Sequence, residues 1–221
     1  MSALTSLLRK PEKLFIVLLL ILFPAGFIFH NIPFTRNIIL GMTDTFILFV
    51  NSIVFYFIWK NAGSKKLLIW CVLAFLITFM LEYLGVETGN VFGDYYYGET
   101  MLLQLGNVPV VIGFNWVILI MATYTISLKL KINRWIAPII GSLLIVVFDY
   151  VMEPVAMYHD YWQWIDGTVP LQNYIAWFVI SLFFSYFLTI FRINPDSRVL
   201  RIYFFIQLGF FLLFRIEMLI R

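Results

Sequence analysis

The chain has 221 residues, of which 62% are hydrophobic and 12% charged, with a formal net charge of +3. Apolar runs of about 20 residues recur along it, each long enough to cross a hydrocarbon core roughly 30 Å thick as a helix, and so little chain is left between them that no soluble domain is expected. The short alternating segments of a membrane β-barrel do not occur, and the basic residues are scattered over short connections, which marks topology and not a nucleic-acid surface.

Backbone groups in lipid must be paired internally, so the spans are helices. Seven are predicted: Leu14–Phe29, Ile38–Trp59, Leu67–Val86, Val108–Leu130, Trp135–Met152, Leu171–Phe191 and Val199–Ile220. The first follows Arg9, Lys10 and Lys13, as a signal peptide would, but it lacks a small-x-small cleavage site and is read as a retained helix. Pro24 and Gly26 are expected to bend it. Cys71, the one cysteine, lies inside the third span and offers neither a disulfide nor a metal set. Pro33, Gly63, the Gly89–Gly106 segment, Asn133, Gly167 and Pro195 mark the connections. The expected fold is all-α, a polytopic integral membrane protein with one helical domain over residues 1–221 and its site between about 78 and 177.

Orientation follows from the cations. Arg9, Lys10 and Lys13 precede the first span. Lys60, Lys65 and Lys66 join the second and third, Lys129, Lys131 and Arg134 the fourth and fifth, and Arg192, Arg198 and Arg201 the sixth and seventh. Seven spans put these 12 of 15 basic residues on one side, which the positive-inside rule makes cytoplasmic. The N-terminus is therefore expected inside, and the protein in the cytoplasmic membrane of a prokaryote.

Two long outer loops follow the third and fifth spans and are crowded with acids, Tyr and Trp. The third span ends in Glu82 and Glu87, the fifth in Asp149 and Glu153. After each loop comes Val-Pro, at Val108-Pro109 and Val169-Pro170, with Trp116 and Trp177 seven residues beyond the proline. Asn115 and Asn173 add polarity to these two helices. A parallel repeat about an axis along the membrane normal would produce this pattern. So would two prolines that start helices and two interfacial tryptophans.

Charge inside a span is costly, about 2.5–3.5 kcal/mol at the centre on insertion scales. Asp44, Glu82 and Asp149 all fall within spans, at similar depth in the outer half, with Asn51, Asn115 and Arg215 near that level. A shared polar pocket under the outer loops is the economical explanation; the competing one pairs Asp44 or Asp149 with Arg215. Glu82, Glu87, Asp149 and Glu153 also sit at the negative ends of outward-running helices. That position and desolvation both favour an uncharged carboxyl. Asp149 and Glu153 share a helix face, and Pro154 disfavours helical geometry at Glu153, which places its carboxyl at the mouth. Glu99, Asp160 and Asp166 read as solvated loop acids. The Tyr95–Tyr97 run and Trp162/Trp164 fit either an interfacial belt or a pocket lining.

His30 and His159 are the only histidines, too few for a di-iron site, and His159 reads as a loop residue. There is no paired Asp-rich motif for diphosphate chemistry, no lysine after Lys131 to carry retinal, and no GxSxG, Walker or GxGxxG motif. No metal or other cofactor is expected.

Several pieces together resemble one family: Glu82-x-x-Gly85-x-x-Thr88-Gly89-x-x-Phe92-Gly93-x-Tyr95-x-Tyr97; Val108-Pro109 with Asn115-Trp116; Asp149-x-x-x-Glu153-Pro154-x-Ala156; Trp162-x-Trp164; and Pro170-x-x-Asn173-Tyr174-x-x-Trp177. The stretch is similar to the carotenoid biosynthesis family that includes CruF-type carotenoid 1,2-hydratases and bisanhydrobacterioruberin hydratase. The resemblance covers under half of the chain. It implies a cofactor-free hydratase adding water to the terminal double bond of an acyclic (ψ) carotenoid end group. The partners implied are a lipid-soluble carotenoid, membrane lipid and other enzymes of the pathway.

That chemistry needs a neutral acid to protonate C-2, aromatic faces for the tertiary cation at C-1, and a held water. Glu82 or Glu153 is expected to donate the proton, with Asp149 as partner base. Trp116, Trp164 and Tyr97 would stabilise the cation, Asn115 and Asn173 would anchor water or backbone, and Tyr95 and Trp177 complete the expected substrate pocket. If water were excluded, the same cation would close a ring, as in a carotenoid cyclase. A small transporter or receptor with helices unwound at Pro109 and Pro170 is the alternative from outside enzymology.

Overall fold

The computed structural model describes residues 10–221; Arg9, one of the cations before the first span, lies outside them. In chain order the helices are α1 (Pro11–His30), α2 (Pro33–Gly41), α3 (Thr43–Ala62), α4 (Lys65–Thr88), α5 (Val110–Lys129), α6 (Ala137–Tyr158), α7 (Leu171–Ile190) and α8 (Arg198–Ile220). All but the nine-residue α2 are long and apolar enough to cross a membrane. Four short strands lie between helices: β1 (Tyr95–Tyr97), β2 (Gln104–Leu105), β3 (Val108–Pro109) and β4 (Trp162–Trp164). The fold is the expected all-α polytopic one.

Two helix boundaries differ from expectation. Residues 38–41 do not start the second span. They belong to α2, which Pro33 begins after the extended Ile32, and the chain turns again at Met42 before α3. The fifth span does not stop at Met152. α6 runs through Pro154 to Tyr158, so Glu153 is helical and buried, not at a mouth. A proline costs its helix one hydrogen bond, and packed neighbours in a membrane bundle tolerate that loss. Pro109 and Pro170 stand at the N-caps of α5 and α7, which then run unbroken, so neither helix is unwound.

α5 is the central helix, buried on every side from Trp116 to Thr125. A helix apolar all round belongs in such a place. It packs against α3, α4, α6 and α8, while α6 joins α7 and α8, and α1 lies on α8. The other spans bury one stripe and turn Leu, Ile and Phe outward to lipid. At the basic end, Asp196 pairs with Lys129 at 2.6 Å and with Arg201.

The opposite end carries the strands. β1 and β4, from the two long loops, pair antiparallel with Tyr95 opposite Trp164 and Tyr97 opposite Trp162. Two glycines let these loops close down. A Cβ on Gly85 would meet the Phe92 ring at 2.8 Å and the Tyr95 hydroxyl at 3.1 Å; one on Gly93, at φ +112°, would meet Pro170 at 2.6 Å. Small residues here bring β1 onto α4 and the following loop onto the start of α7.

Candidate functional site

Residues two apart on a strand share a face. Tyr95 and Tyr97 therefore point the same way, as do Trp162 and Trp164, and the β1–β4 ladder combines the four rings on one surface. The two phenols reach Glu82: Tyr95 Oη donates to Oε2 at 2.6 Å and Tyr97 Oη donates to the same oxygen at 2.8 Å. Trp116 Nε1 donates to Oε1 at 2.7 Å. The two indoles reach the other acid: Trp162 Nε1 and Trp164 Nε1 donate to Glu153 Oε2 at 2.9 and 2.8 Å. Burial, reinforced by the Glu82 carboxyl, holds both phenols well above the ordinary tyrosine range. They stay protonated and act as donors.

Asp149 lies one turn before Glu153. Asn173 Nδ2 donates to Asp149 Oδ2 at 2.7 Å and to Glu153 Oε1 at 3.3 Å, so one amide bridges two carboxyls. The second oxygen of Asp149 has no protein partner. Glu82, Asp149 and Glu153 are 4%, 0% and 2% exposed. Trp116 and Trp177, the two tryptophans at matching offsets, stack with centroids 3.9 Å apart at 25°.

These groups face a largely apolar cavity of about 350 Å³. Glu82, Glu153, Asn115, Asn173, Trp116 and Trp177 stand in its wall, together with the rings of Tyr95, Tyr97, Trp162 and Trp164. The opposite wall comes from α1, the start of α3, and α8. There Phe29 and Met42 are exposed at the rim, and Phe23 meets Phe46 at 5.7 Å between α1 and α3.

The residues expected to carry the chemistry or line the substrate pocket (Glu82, Asp149, Glu153, Tyr95, Tyr97, Asn115, Trp116, Trp164, Asn173 and Trp177) are all part of this cluster, with one difference in depth. Asp149 is not in the cavity wall but behind it, reaching it through Asn173 and Glu153. Asp44 does not share the pocket. Its Oδ2 accepts from Leu103 N at 2.8 Å and its Oδ1 from Thr45 N at 2.7 Å, so it pairs a first-turn amide of α3 and pins the outer loop. Neither Asp44 nor Asp149 pairs with Arg215, whose guanidinium lies 6.0 Å from the Tyr150 ring. Glu87, Asp94, Glu99, Asp160 and Asp166 are exposed. Among the described residues no three of His, Cys, Asp and Glu converge as metal ligands.

Sequence reasoning left Trp162 between an interfacial belt and a pocket lining, without a role at the acids, and missed the far wall of Phe23, His30, Gln207 and Phe210. The i, i+2 spacing of Trp162 and Trp164 was the available signal for the first. The wall had none, because nothing local ties α1 and α8 to the acids.

Compared with known proteins, residues 42–219 match the family described as carotenoid biosynthesis protein. No curated protein matches the chain, and no solved structure does.

Proposed function

The chain belongs to the carotenoid biosynthesis protein family, and on that premise we propose that it is a carotenoid 1,2-hydratase of the CruF type, adding water across C1=C2 of an acyclic end group. The observation that carries this reading is the pair of buried acids, Glu82 and Glu153, in the wall of a largely apolar cavity, each gripped by aromatic donors. A polyene is soluble only in the bilayer. Its end would pass between Phe29 and Met42 and come to rest under the β1–β4 ladder.

Glu153 is the proposed proton donor. Its Oε2 accepts from two indoles, while Oε1 takes the long contact from Asn173 and is the oxygen proposed to carry a proton. Two carboxyls bridged by one amide share a proton more readily than both ionise, so Asp149 and Glu153 hold one between them. That proton passes to C-2, the C1=C2 electron pair forms the new C–H bond, and C-1 becomes a tertiary cation. Water forms a C–O bond to C-1 and returns a proton to the Asp149–Glu153 pair, which is thereby reset. Glu82, with three donors on its oxygens, is an acceptor and supplies the compensating negative charge. The faces of Trp116, Trp164 and Tyr97 add about 0.5–2 kcal/mol each to the cation. Asn115, half-buried in the wall with its amide oxygen free of protein partners, orients the water.

Expression in lycopene-accumulating cells, with mass analysis of the pigments, tests this. A gain of one water per reacted end is expected. A β-ring product would replace the hydratase by a cyclase, and unchanged lycopene beside abundant folded protein would remove both.

A further inference from the structure

Hydration consumes water, yet the cavity wall is largely apolar. We propose that His30 and His159 form a water site that admits water to the cavity from the acidic, loop-bearing end, by a route separate from that of the carotenoid. The two rings lie 4.9 Å apart, and the residues are 7% and 1% exposed. His30 Nδ1 sits 2.7 Å from the Gly26 carbonyl oxygen. A carbonyl only accepts, so Nδ1 carries the hydrogen and Nε2 presents a lone pair. That Nε2 has no protein partner, and neither do Nδ1 and Nε2 of His159. Buried polar atoms are normally paired, and three unpaired ring nitrogens in one place suit a small molecule that both donates and accepts.

His30 belongs to the cavity wall. His159 stands behind it, toward the loops. Burial, with His30 and Arg36 nearby, pushes His159 down to about 3, so its ring is neutral and offers one donor and one acceptor. Phe214 covers both rings, at 5.6 and 4.6 Å, and Tyr161 lies 5.7 Å from His159. Outward of His159 comes the partly exposed Tyr158, 5.0 Å away. Tyr158 lies under the Arg36 guanidinium, and its hydroxyl accepts from Arg221 Nη1 at 3.2 Å. Arg221 in turn donates to Asn31 Oδ1 at 2.7 Å, and Asn31 Nδ2 to Glu217 at 3.0 Å. A polar cluster of Tyr158, Arg36, Arg221, Asn31 and Glu217 therefore stands on one side of His159, and His30 with the cavity on the other. The use of this water rests on the hydration proposed above; its presence does not.

Hydroxyl-radical labelling of the full chain in lipid nanodiscs, read by mass spectrometry, tests the site, because bound water generates the radical in place. His159, His30 and Phe214 should be labelled despite their burial, within about tenfold of Tyr158, as expected for ordered internal water. His159→Phe should lower labelling of His30 and slow hydration of lycopene about tenfold by blocking a bridging water, while His159→Gln, which keeps a donor and an acceptor, restores most of both. Unlabelled His30, His159 and Phe214 in the wild type overturn the site whatever the chemistry. A His159→Phe chain that hydrates at the wild-type rate overturns the route. A labelled wild type that converts no carotenoid supports the site and overturns the hydration reading alone.

Discussion

The two acid-bearing units, α4 with β1 and α6 with β4, are built alike and armed differently. Each ends a span in a buried glutamate and returns through a loop whose strand offers two aromatic donors to that glutamate. The strands then pair antiparallel, Tyr95 with Trp164 and Tyr97 with Trp162, as two copies related by an axis along the membrane normal would. One turn before the glutamate the units part. α4 has Thr78, whose hydroxyl donates to Ala74 O at 2.8 Å within its own helix. α6 has Asp149, tied to Glu153 through Asn173. The donors differ too, two phenols and an indole on Glu82 against two indoles and an amide on Glu153. On the proposed reading the lone carboxyl with three donors serves as the acceptor, and the two carboxyls bridged by an amide pass the proton. Two similar frames thus differ at the position one turn before the glutamate and in the donors that hold it.

The largest break in this comparison is expected from Glu153→Gln, which keeps the shape and removes the proton. Hydration should fall by about 10²–10⁴-fold, the range of general acid catalysis, with carotenoid still bound; near-normal product from this variant would sink the donor assignment. Glu82→Gln should cost about 10²-fold, as the loss of one electrostatic partner to the cation does, measured in the same pigment assay. Asp149→Asn removes the shared proton but leaves Glu153 in the wall, and a loss of about tenfold is expected. A loss as deep as that of Glu153→Gln would move the donor to Asp149. Tyr97→Phe should slow turnover only a few-fold. Because both phenols lie well above the usual tyrosine range, they do not titrate below about pH 10, so this variant should leave the shape of the pH–rate curve unchanged. Asp44→Ala is the control outside the pair. It should lower stability by about 1–3 kcal/mol, the cost of leaving a buried amide unpaired, seen as an earlier thermal melt in detergent. Saturated turnover should be untouched.

Much of this was legible along the chain. Hydropathy alone delivered the seven spans, because a span must be about as long as the core is thick and each declares itself locally. The acids at span ends were equally visible, since a charge in such a stretch is rare. The grouping of those acids was not. Asp44 reads like Glu82, at the same depth and in the same kind of segment, yet it pairs an amide in the first turn of α3 and clamps Leu103 N. Glu153 was expected at the mouth because Pro154 follows it, but helix packing kept the proline inside α6.

The sequence by itself determined the number of long apolar spans and the family, since lipid imposes its demands residue by residue through transfer energy and backbone pairing. Only the tertiary structure decided which acids meet. Glu82 and Glu153 are brought to one cavity by a ladder between strands 67 residues apart, and its far wall is α1 and α8, from the two ends of the described chain. Such contacts depend on how helices rotate and lean about their axes, which many weak packing terms set together and no local pattern records.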